Sequence, residues 1–198
     1  MTVRLAHSGL PQPNEVPPAP LRLLQPPRLH LAPQPEGLLQ IHTAIHRGSF
    51  SGVLSQALRA AGLGSRVLVC QLLKGGVDQG VGGSQLLCGR LEWLRPATPF
   101  CLETAAADLP KDLANASAVR QAVQEIWDYS REQLLKGRLD QLVLDELGLA
   151  IELGYLALDE VLETLGHRPS HLDVIVTGPA IPAQLMAMAD EVTELRRV

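Results

Sequence analysis

The sequence predicts an α/β fold in which a mostly parallel sheet carries helices on both faces. Strand-like and helix-like segments alternate along the chain from residue 38 to its end. Two nearly continuous apolar runs, at 66–73 and 172–178, are typical of strands buried on both faces of a parallel sheet. Such alternation implies right-handed β-α-β crossovers, which place helices on both sides of the sheet.

The first half of this region has three predicted strands and one predicted helix. The helix carries Val53, Ala57 and Ala61 on one face and stops at Gly62. A flexible, glycine-rich loop is expected after the second strand. In order, the elements are a strand at 38–43, a helix at 51–64, a strand at 66–73, the loop at 75–83 and a strand at 90–94.

The second half opens with an irregular segment and then returns to alternation. Its longest helix places Val123, Ile126 and Trp127 on one stripe, which predicts a face packed on the sheet. The elements are the irregular segment at 95–114, a helix at 116–136, a strand within 139–147, a helix at 157–169, a strand at 172–178, a helix at 182–190 and a strand at 191–198.

Residues 1–36 are predicted to form an extended or disordered arm, with a folded domain at 37–198. Nine of the fifteen prolines precede residue 37, and proline breaks helices and central strands. The arm is either a free tail or a docking segment. In the second case the leucine-rich stretch at 21–31 lies on an apolar groove of its own domain or of a partner protein.

Composition narrows the class of function. The formal net charge is −4, so no basic face suggests nucleic acid as a partner. Three cysteines without a CxxC pair argue against a disulfide framework or a zinc site and fit a reducing, cytoplasmic compartment. The first residues lack the apolar region of a secretory signal. No apolar run reaches the ~18–20 residues that span a bilayer, so no membrane is expected.

Two adjacent acids, Asp145 and Glu146, follow an apolar strand at the point where it ends. In nucleotide enzymes with a phosphate loop, this is the Walker B arrangement, in which the first acid holds a magnesium shell. The second acid there polarises a nucleophile or binds metal. Both residues are therefore candidate catalytic groups and candidate metal ligands. The alternative is a solvated strand end without chemistry.

The segment 43–51 lies where a phosphate-binding loop belongs, after a strand and before a helix whose N-terminus attracts anions. A working loop turns backbone N–H groups inward, which glycine permits, and supplies a lysine for the phosphates. Here the lysine position holds Ser49, and Phe50 follows it. The candidate nucleotide-binding residues are Thr43, His46, Arg47, Gly48, Ser49 and Ser51.

Three segments together resemble the ATP:cob(I)alamin (corrinoid) adenosyltransferases of the BtuR type. They are "ALRAAGLGSRVLVCQLLKGG" at 57–76, "FCLET" at 100–104 and the gap-free stretch at 139–196. The resemblance implies a RecA-like P-loop NTPase fold, a homodimer, ATP with Mg2+ as adenosyl donor and a corrinoid acceptor. It also implies that Lys74 and Phe100 bind the corrinoid and that Asp145 and Glu146 are the Walker B acids.

The sequence departs from the family's pattern at several parts of the expected site. The family's loop ends in Gly-Lys-Thr-Thr, of which Gly48 and a hydroxyl at Ser51 remain. Leu102 stands where a tryptophan is expected. Pro179 and Ala180 replace an arginine and a glycine after "TG". Phosphate and corrinoid contacts are therefore altered together, while the scaffold signals are intact.

These departures lead to three hypotheses. The first is a divergent adenosyltransferase-like protein with a degenerate phosphate loop, impaired in catalysis and acting in binding or regulation. The second is an active ATP-dependent cob(I)alamin adenosyltransferase in which Arg47 replaces the missing lysine. The third is a protein-interaction scaffold that uses residues 1–36. ATP, Mg2+ and a corrinoid are possible ligands under the first two hypotheses.

Overall fold

Seven strands and five α-helices make up the part of the chain that the computed structural model describes, residues 36–196 apart from Ser49, Val77 and 107–112. The strands are β1 (Leu39–Ala44), β2 (Val67–Gln71), β3 (Gln85–Leu87), β4 (Leu91–Leu94), β5 (Gln141–Asp145), β6 (Asp173–Gly178) and β7 (Glu191–Leu195). The helices are α1 (Ser51–Gly62), α2 (Leu113–Leu135), α3 (Leu147–Glu152), α4 (Leu158–Gly166) and α5 (Ala183–Met188). The predicted arm lies outside the described residues except for Glu36.

The strands form one sheet in the order β3-β4-β2-β5-β6-β1-β7. Every neighbouring pair is parallel except β3 and β4, which are antiparallel. The predicted α/β class with a mostly parallel sheet is confirmed. All described residues fall in one compact unit, Gln34–Val198.

Strand β2 is buried along its whole length and β6 along all but its first residue, as their apolar runs predicted, and β5 is fully buried as well. In β2, Leu68 and Cys70 pack in the core cluster that contains α2, whereas Val67 and Val69 pack in the cluster that contains α1. This alternation follows from the two-residue repeat of a strand. Helices therefore cover both faces of the sheet.

Helix α1 buries Val53, Ala57 and Ala61, a spacing of four residues that keeps one face on the sheet. On the opposite face, Trp127 of α2 is 1% exposed and anchors the larger core cluster. Both helices lie where the helical periodicity predicted them.

Strand β3 and helix α3 were not predicted from the sequence. Strand β3 has only three residues, and α3 follows Glu146 directly. The loop after β2 is tightly packed around Gly75, where a Cβ atom would stand 2.2 Å from the carbonyl oxygen of Thr98. Glycine at this position permits close backbone approach. Within the described residues, no helix is both long and apolar enough to cross a membrane.

Candidate functional site

The carboxyl ends of β5, β6 and β1 lie side by side at one edge of the sheet. The strands are parallel neighbours, with Asp145 paired to Thr177 and Thr43 paired to Gly178. Ligands of open α/β sheets bind at such an edge. The predicted phosphate-loop segment and the predicted acid pair therefore meet, as their positions after strands predicted.

Asp145 is held by three donors from three parts of the fold. The Thr177 hydroxyl donates to Oδ1 at 2.6 Å, and the Gln71 amide donates to Oδ2 at 2.8 Å. The Lys74 ammonium lies 2.8 Å from the same Oδ2. The carboxylate side chain is only 5% exposed. A buried carboxylate needs such donors because burial removes its hydration.

Gln71 extends this network across β2 towards β4. Its amide oxygen accepts from Trp93 Nε1 at 2.9 Å and from Arg95 Nε at 2.8 Å. Gln71 is 2% exposed. With its NH2 group on Asp145, the carboxamide has its orientation fixed from both ends.

Glu146 takes a left-handed backbone conformation, with φ of 66°, directly after β5. Its N–H donates to the Thr177 carbonyl at 2.8 Å. Gly178 makes this turn possible, because a Cβ atom there would stand 2.9 Å from the Glu146 Cα. Non-glycine residues in this region cost about 1–3 kcal/mol, and such residues cluster at functional sites.

Arg47 closes on Glu146 with a two-pronged contact. Its Nε donates to Oε1 at 2.7 Å and its Nη2 donates to Oε2 at 2.6 Å. Nη1 donates to the Leu102 carbonyl at 2.9 Å. The Glu146 side chain is 2% exposed and that of Arg47 is 27% exposed. The hydrogen bond to Glu146 raises the pKa of the Arg47 guanidinium above its usual value.

Arg47 thereby joins three segments: its own loop, the end of β5 and the "FCLET" segment. Its Nη1 also lies 3.8 Å from an oxygen of Glu103, which is largely exposed. Bidentate arginine–carboxylate contacts are among the stronger hydrogen bonds of proteins. The cation that a phosphate group would require is directed at a buried acid of the same chain.

The loop before α1 is anchored by Phe50 rather than by a polar cap. Phe50 is 6% exposed and packs in the core cluster on the α1 side of the sheet. It is also the N-cap of α1, where no side chain caps the helix by a hydrogen bond. Gly48 has φ of 80°, so the loop keeps one left-handed turn that glycine favours.

The structure brings together four of the predicted site residues: Arg47, Lys74, Asp145 and Glu146. Lys74, predicted as a corrinoid ligand, contacts Asp145; its corrinoid role stays a prediction. Phe100 is 53% exposed and its corrinoid role also stays a prediction. The remaining nucleotide-site candidates stay predictions as well: Thr43 is half-buried, His46, Gly48 and Ser51 are exposed, and Ser49 lies outside the described residues.

The carboxylates of Asp145 and Glu146 are engaged by side chains of this chain, not arranged as open metal ligands. Both oxygens of Asp145 and both oxygens of Glu146 already accept hydrogen bonds from this chain, and the two side chains are 5% and 2% exposed. In the described part of the chain, no group of three or more His, Cys, Asp or Glu side chains is placed to hold a metal. The predicted metal role of this pair stays a prediction that requires Arg47 or Lys74 to move away.

Sequence reasoning missed Gln71 as a part of the site, and it marked the strand end at 177–180 without naming Thr177 as a partner of Asp145. A signal for Gln71 was present, because it is a polar residue inside a continuous apolar run. Buried polar residues are hydrogen-bonded as a rule, so a partner was to be expected. Thr177 lies one residue before the end of the buried strand β6 and is paired with Asp145, a register that the sequence alone does not give.

Comparison with known proteins assigns a family to this arrangement. Residues 35–198 match the model of the ATP:corrinoid adenosyltransferase BtuR/CobO/CobP family. The chain belongs to this family. The match includes every residue that the structure describes, so the acid pair and its two cations lie in the region shared with the corrinoid adenosyltransferases. The resemblance to this family is confirmed.

Curated relatives support the same membership. The corrinoid adenosyltransferase CobA of Salmonella typhimurium is 32% identical over 171 residues, which is 86% of this chain and 82% of the relative. The corrinoid adenosyltransferase of Escherichia coli strain K12 is 30% identical over the same shares. That of Pseudomonas aeruginosa is 31% identical over 163 residues, or 82% of this chain and 76% of the relative. The chain is similar to named corrinoid adenosyltransferases over most of its length.

Proposed function

We propose that this chain is a divergent corrinoid adenosyltransferase-family protein with a RecA-like P-loop fold whose nucleotide site is held closed by its own Arg47. Catalysis is impaired, and the protein acts by binding, with a corrinoid as the ligand class that its family membership favours. The observation that carries the proposal is the two-pronged contact of Arg47 on the buried carboxylate of Glu146.

The energetic reason is the cost of separating this pair. Leaving a buried carboxylate without its partner costs about 3–5 kcal/mol. A triphosphate that recruited Arg47 would have to offset this cost. It would do so in a loop whose lysine position holds a serine. A triphosphate also needs a metal ion, and the acids that would hold it are paired to Arg47 and Lys74.

One observation favours the alternative of an active adenosyltransferase with a remodelled loop. Arg47 is 27% exposed and its loop turns at a glycine, so the guanidinium can swing outward without crossing the core. In that state Arg47 would contact the phosphates in place of lysine, and Glu146 would be free to accept a metal. The homodimer, the cytoplasmic location and the docking of residues 1–36 on a partner stay predictions from the sequence.

A turnover assay distinguishes the impaired protein with a closed site from the active adenosyltransferase. Purified chain is mixed with ATP, Mg2+ and chemically reduced cob(I)alamin, and formation of the carbon–cobalt bond is followed by absorbance. CobA of Salmonella typhimurium is assayed alongside as the positive control for substrate quality. We expect no turnover above the protein-free reaction. Turnover comparable to that of the control, lost in Arg47→Met, would establish the active alternative.

A binding assay tests the remaining function. The same chain is titrated with cob(II)alamin and with hydroxocobalamin, without nucleotide, and binding is measured by calorimetry. We expect saturable binding of at least one corrinoid, weakened by Phe100→Ala. Absence of binding to either corrinoid, together with absence of turnover, would remove the corrinoid from the proposed function.

A further inference from the structure

A cavity lies away from the acid pair, between β3, the end of β4 and the loop before β3. Its volume is about 240 Å³. The lining residues come from two strands and one loop, and they are Gln79, Gln85, Leu87, Trp93 and Arg95. Strand β2 separates β4 from β5 in the sheet, so this cavity is separate from the contact of Arg47 with Glu146, although Gln71 links its wall to Asp145.

The strand register explains why these side chains share one face. Gln85 and Trp93 are directly opposite in the antiparallel pair of β3 and β4, so they project to the same side. Leu87 lies two residues after Gln85 on β3, which keeps it on that side. Arg95 follows β4 directly and lines the same cavity. A short strand that the sequence did not reveal therefore completes the wall.

The side chains of Trp93 and Arg95 are already held in place by other residues and by each other. Trp93 Nε1 and Arg95 Nε both donate to the buried amide oxygen of Gln71. The Arg95 guanidinium lies over the Trp93 ring, 5.7 Å from its centroid. The loop is fixed as well, because the Gly80 N–H donates to the Arg95 carbonyl at 2.8 Å. A wall that is already ordered loses little conformational entropy when a ligand binds.

The chemistry of the lining combines one cation, one aromatic ring, two carboxamides and one leucine. Arg95 is the only charged side chain of the lining, and no acid balances it there. Among the described residues Arg95 forms no ion pair. With Nε held by Gln71, the two Nη groups remain as a fork suited to a carboxylate or a phosphate.

We propose that this cavity binds a small planar aromatic anion. The ring packs on Trp93 and Leu87, and the carboxylate or phosphate contacts Arg95. The inference goes beyond the proposed function and does not depend on it, because none of these residues contacts Glu146 or Arg47.

Tryptophan fluorescence offers a direct test, because the chain has two tryptophans in contrasting places. Trp93 lines the cavity, whereas Trp127 is 1% exposed in the core and donates to Glu160. The probes are two matched pairs that differ in charge: nicotinate with nicotinamide, and adenosine monophosphate with adenosine. The chelator EDTA is present throughout, so that metal-dependent binding at the other site does not contribute.

We expect at least one anion to change the fluorescence saturably and to bind about 10-fold or more tightly than its neutral partner, the value of one charge-assisted contact. The response should disappear in Trp93→Phe. Nicotinate binding would indicate a carboxylate ligand, and adenosine monophosphate binding a phosphate ligand. Absence of a response to both anions, or equal binding of charged and neutral partners, would overturn the proposal.

Three arginine variants locate the binding by calorimetry. Arg95→Met should weaken the anion about 10-fold or more, and Arg95→Lys, which keeps the charge but not the fork, should weaken it less. The matched control is Arg90→Met, an exposed arginine at the other end of β4. Circular dichroism checks that each variant is folded. Binding that survives Arg95→Met and Arg95→Lys but is lost in Arg47→Met would place the anion at the other site and overturn the proposal.

Discussion

The two adjacent carboxylates at the end of β5 are held in different ways. Asp145 is held mainly from within the sheet, by Thr177 on β6 and Gln71 on β2, with Lys74 as its third partner. Among the described residues, Arg47 of the loop before α1 is the one that holds the side chain of Glu146. The sheet therefore fixes Asp145, whereas the hydrogen bonding of the Glu146 carboxylate depends on where the Arg47 side chain lies.

This difference indicates where the site can change. Moving Lys74 away would leave Asp145 with two donors, so its burial would still be compensated in part. Moving Arg47 away would remove the hydrogen bonds that the described residues make to both oxygens of Glu146, whose side chain is 2% exposed. Arg47 therefore acts as the closing element of the nucleotide site, and any ligand that opens the site must first compete for it.

The largest effect is expected for Arg47→Met. The variant leaves the buried Glu146 without its cation, and we expect a loss of about 3 kcal/mol in the free energy of unfolding, somewhat reduced because Arg47 is partly exposed. Urea unfolding measures it. The double variant with Glu146→Gln should recover most of the loss, because the uncompensated charge is then absent.

Arg66→Met is the control for this prediction. Arg66 pairs with Asp140 at 3.6 Å, and the two side chains are 52% and 44% exposed. Exposed ion pairs contribute about 0–1 kcal/mol, so the variant should unfold nearly as the parent does. Equal losses for Arg47→Met and Arg66→Met would show that the buried pair is not special.

Gly178→Ala is expected to have the next largest effect. The backbone φ of 125° is unfavourable for alanine, and the new Cβ would meet the Glu146 Cα at 2.9 Å. A loss of about 2–3 kcal/mol in unfolding free energy should follow from strain and displacement of the turn. The matched change is Gly52→Ala in α1, where a Cβ atom meets nothing within 4 Å. A neutral result for Gly178→Ala would contradict the close approach of β6 to Glu146.

Thr177→Val should have a moderate effect and act on Asp145 alone. Valine has nearly the shape of threonine but lacks the hydroxyl that donates to Oδ1 at 2.6 Å. We expect a loss of about 1–2 kcal/mol, since two donors to Asp145 remain. Thermal unfolding of this variant and of Arg47→Met compares how much stability is lost when a partner of Asp145 or of Glu146 is removed. A greater loss for Thr177→Val than for Arg47→Met would reverse the comparison.

The smallest expected effect is a change in the pH dependence of stability, caused by the Tyr129 hydroxyl. This hydroxyl donates a hydrogen bond to a third carboxylate, that of Glu92, at 2.9 Å. Burial, with this hydrogen bond, raises the pKa of Tyr129 from 10.0 to about 12. The folded chain holds the hydroxyl proton more tightly than the unfolded chain. The resulting stability is complete below pH 10.0 and is lost as the pH rises towards about 12.

Urea midpoints measured across this pH range test the assignment. Tyr129→Phe should fall less steeply with pH than the parent, because phenylalanine has no proton to lose. A residual slope from Tyr155 is expected, since burial raises the pKa of its hydroxyl as well. Parallel pH profiles for the variant and the parent would refute the assignment.

The sequence predicted the scaffold well where the pattern was long and regular. The fully buried strands β2 and β5 are apolar runs, α1 has a clear helical periodicity, and the alternation of elements implied a parallel sheet. The three-residue β3 has no periodicity to detect, and its pairing with β4 depends on the loop between them. The arrangement around Gln71 depends on the parallel pairing of β2 with β4 and β5, a strand order that the sequence alone does not give.

The sequence predicted where the site residues lie in the fold but not which side chains contact one another. Asp145 and Glu146 were expected at a strand end, and the loop of Arg47 was expected beside them. The direction of the Arg47 side chain depends on the left-handed turn at Glu146 and on the carbonyl of Leu102. Both residues lie far from Arg47 in the sequence, and tertiary packing places them beside it. The sequence predicted Arg47 as a phosphate ligand and did not predict its contact with Glu146.

A crystal structure grown with ATP and Mg2+ tests the closed nucleotide site most directly. We expect Arg47 to remain on Glu146 with both hydrogen bonds intact, and no ordered triphosphate chain between the loop and α1. An ordered triphosphate with the Arg47 guanidinium turned onto its oxygens, and a metal ion on Asp145 or Glu146, would contradict the closed site and establish a working nucleotide site.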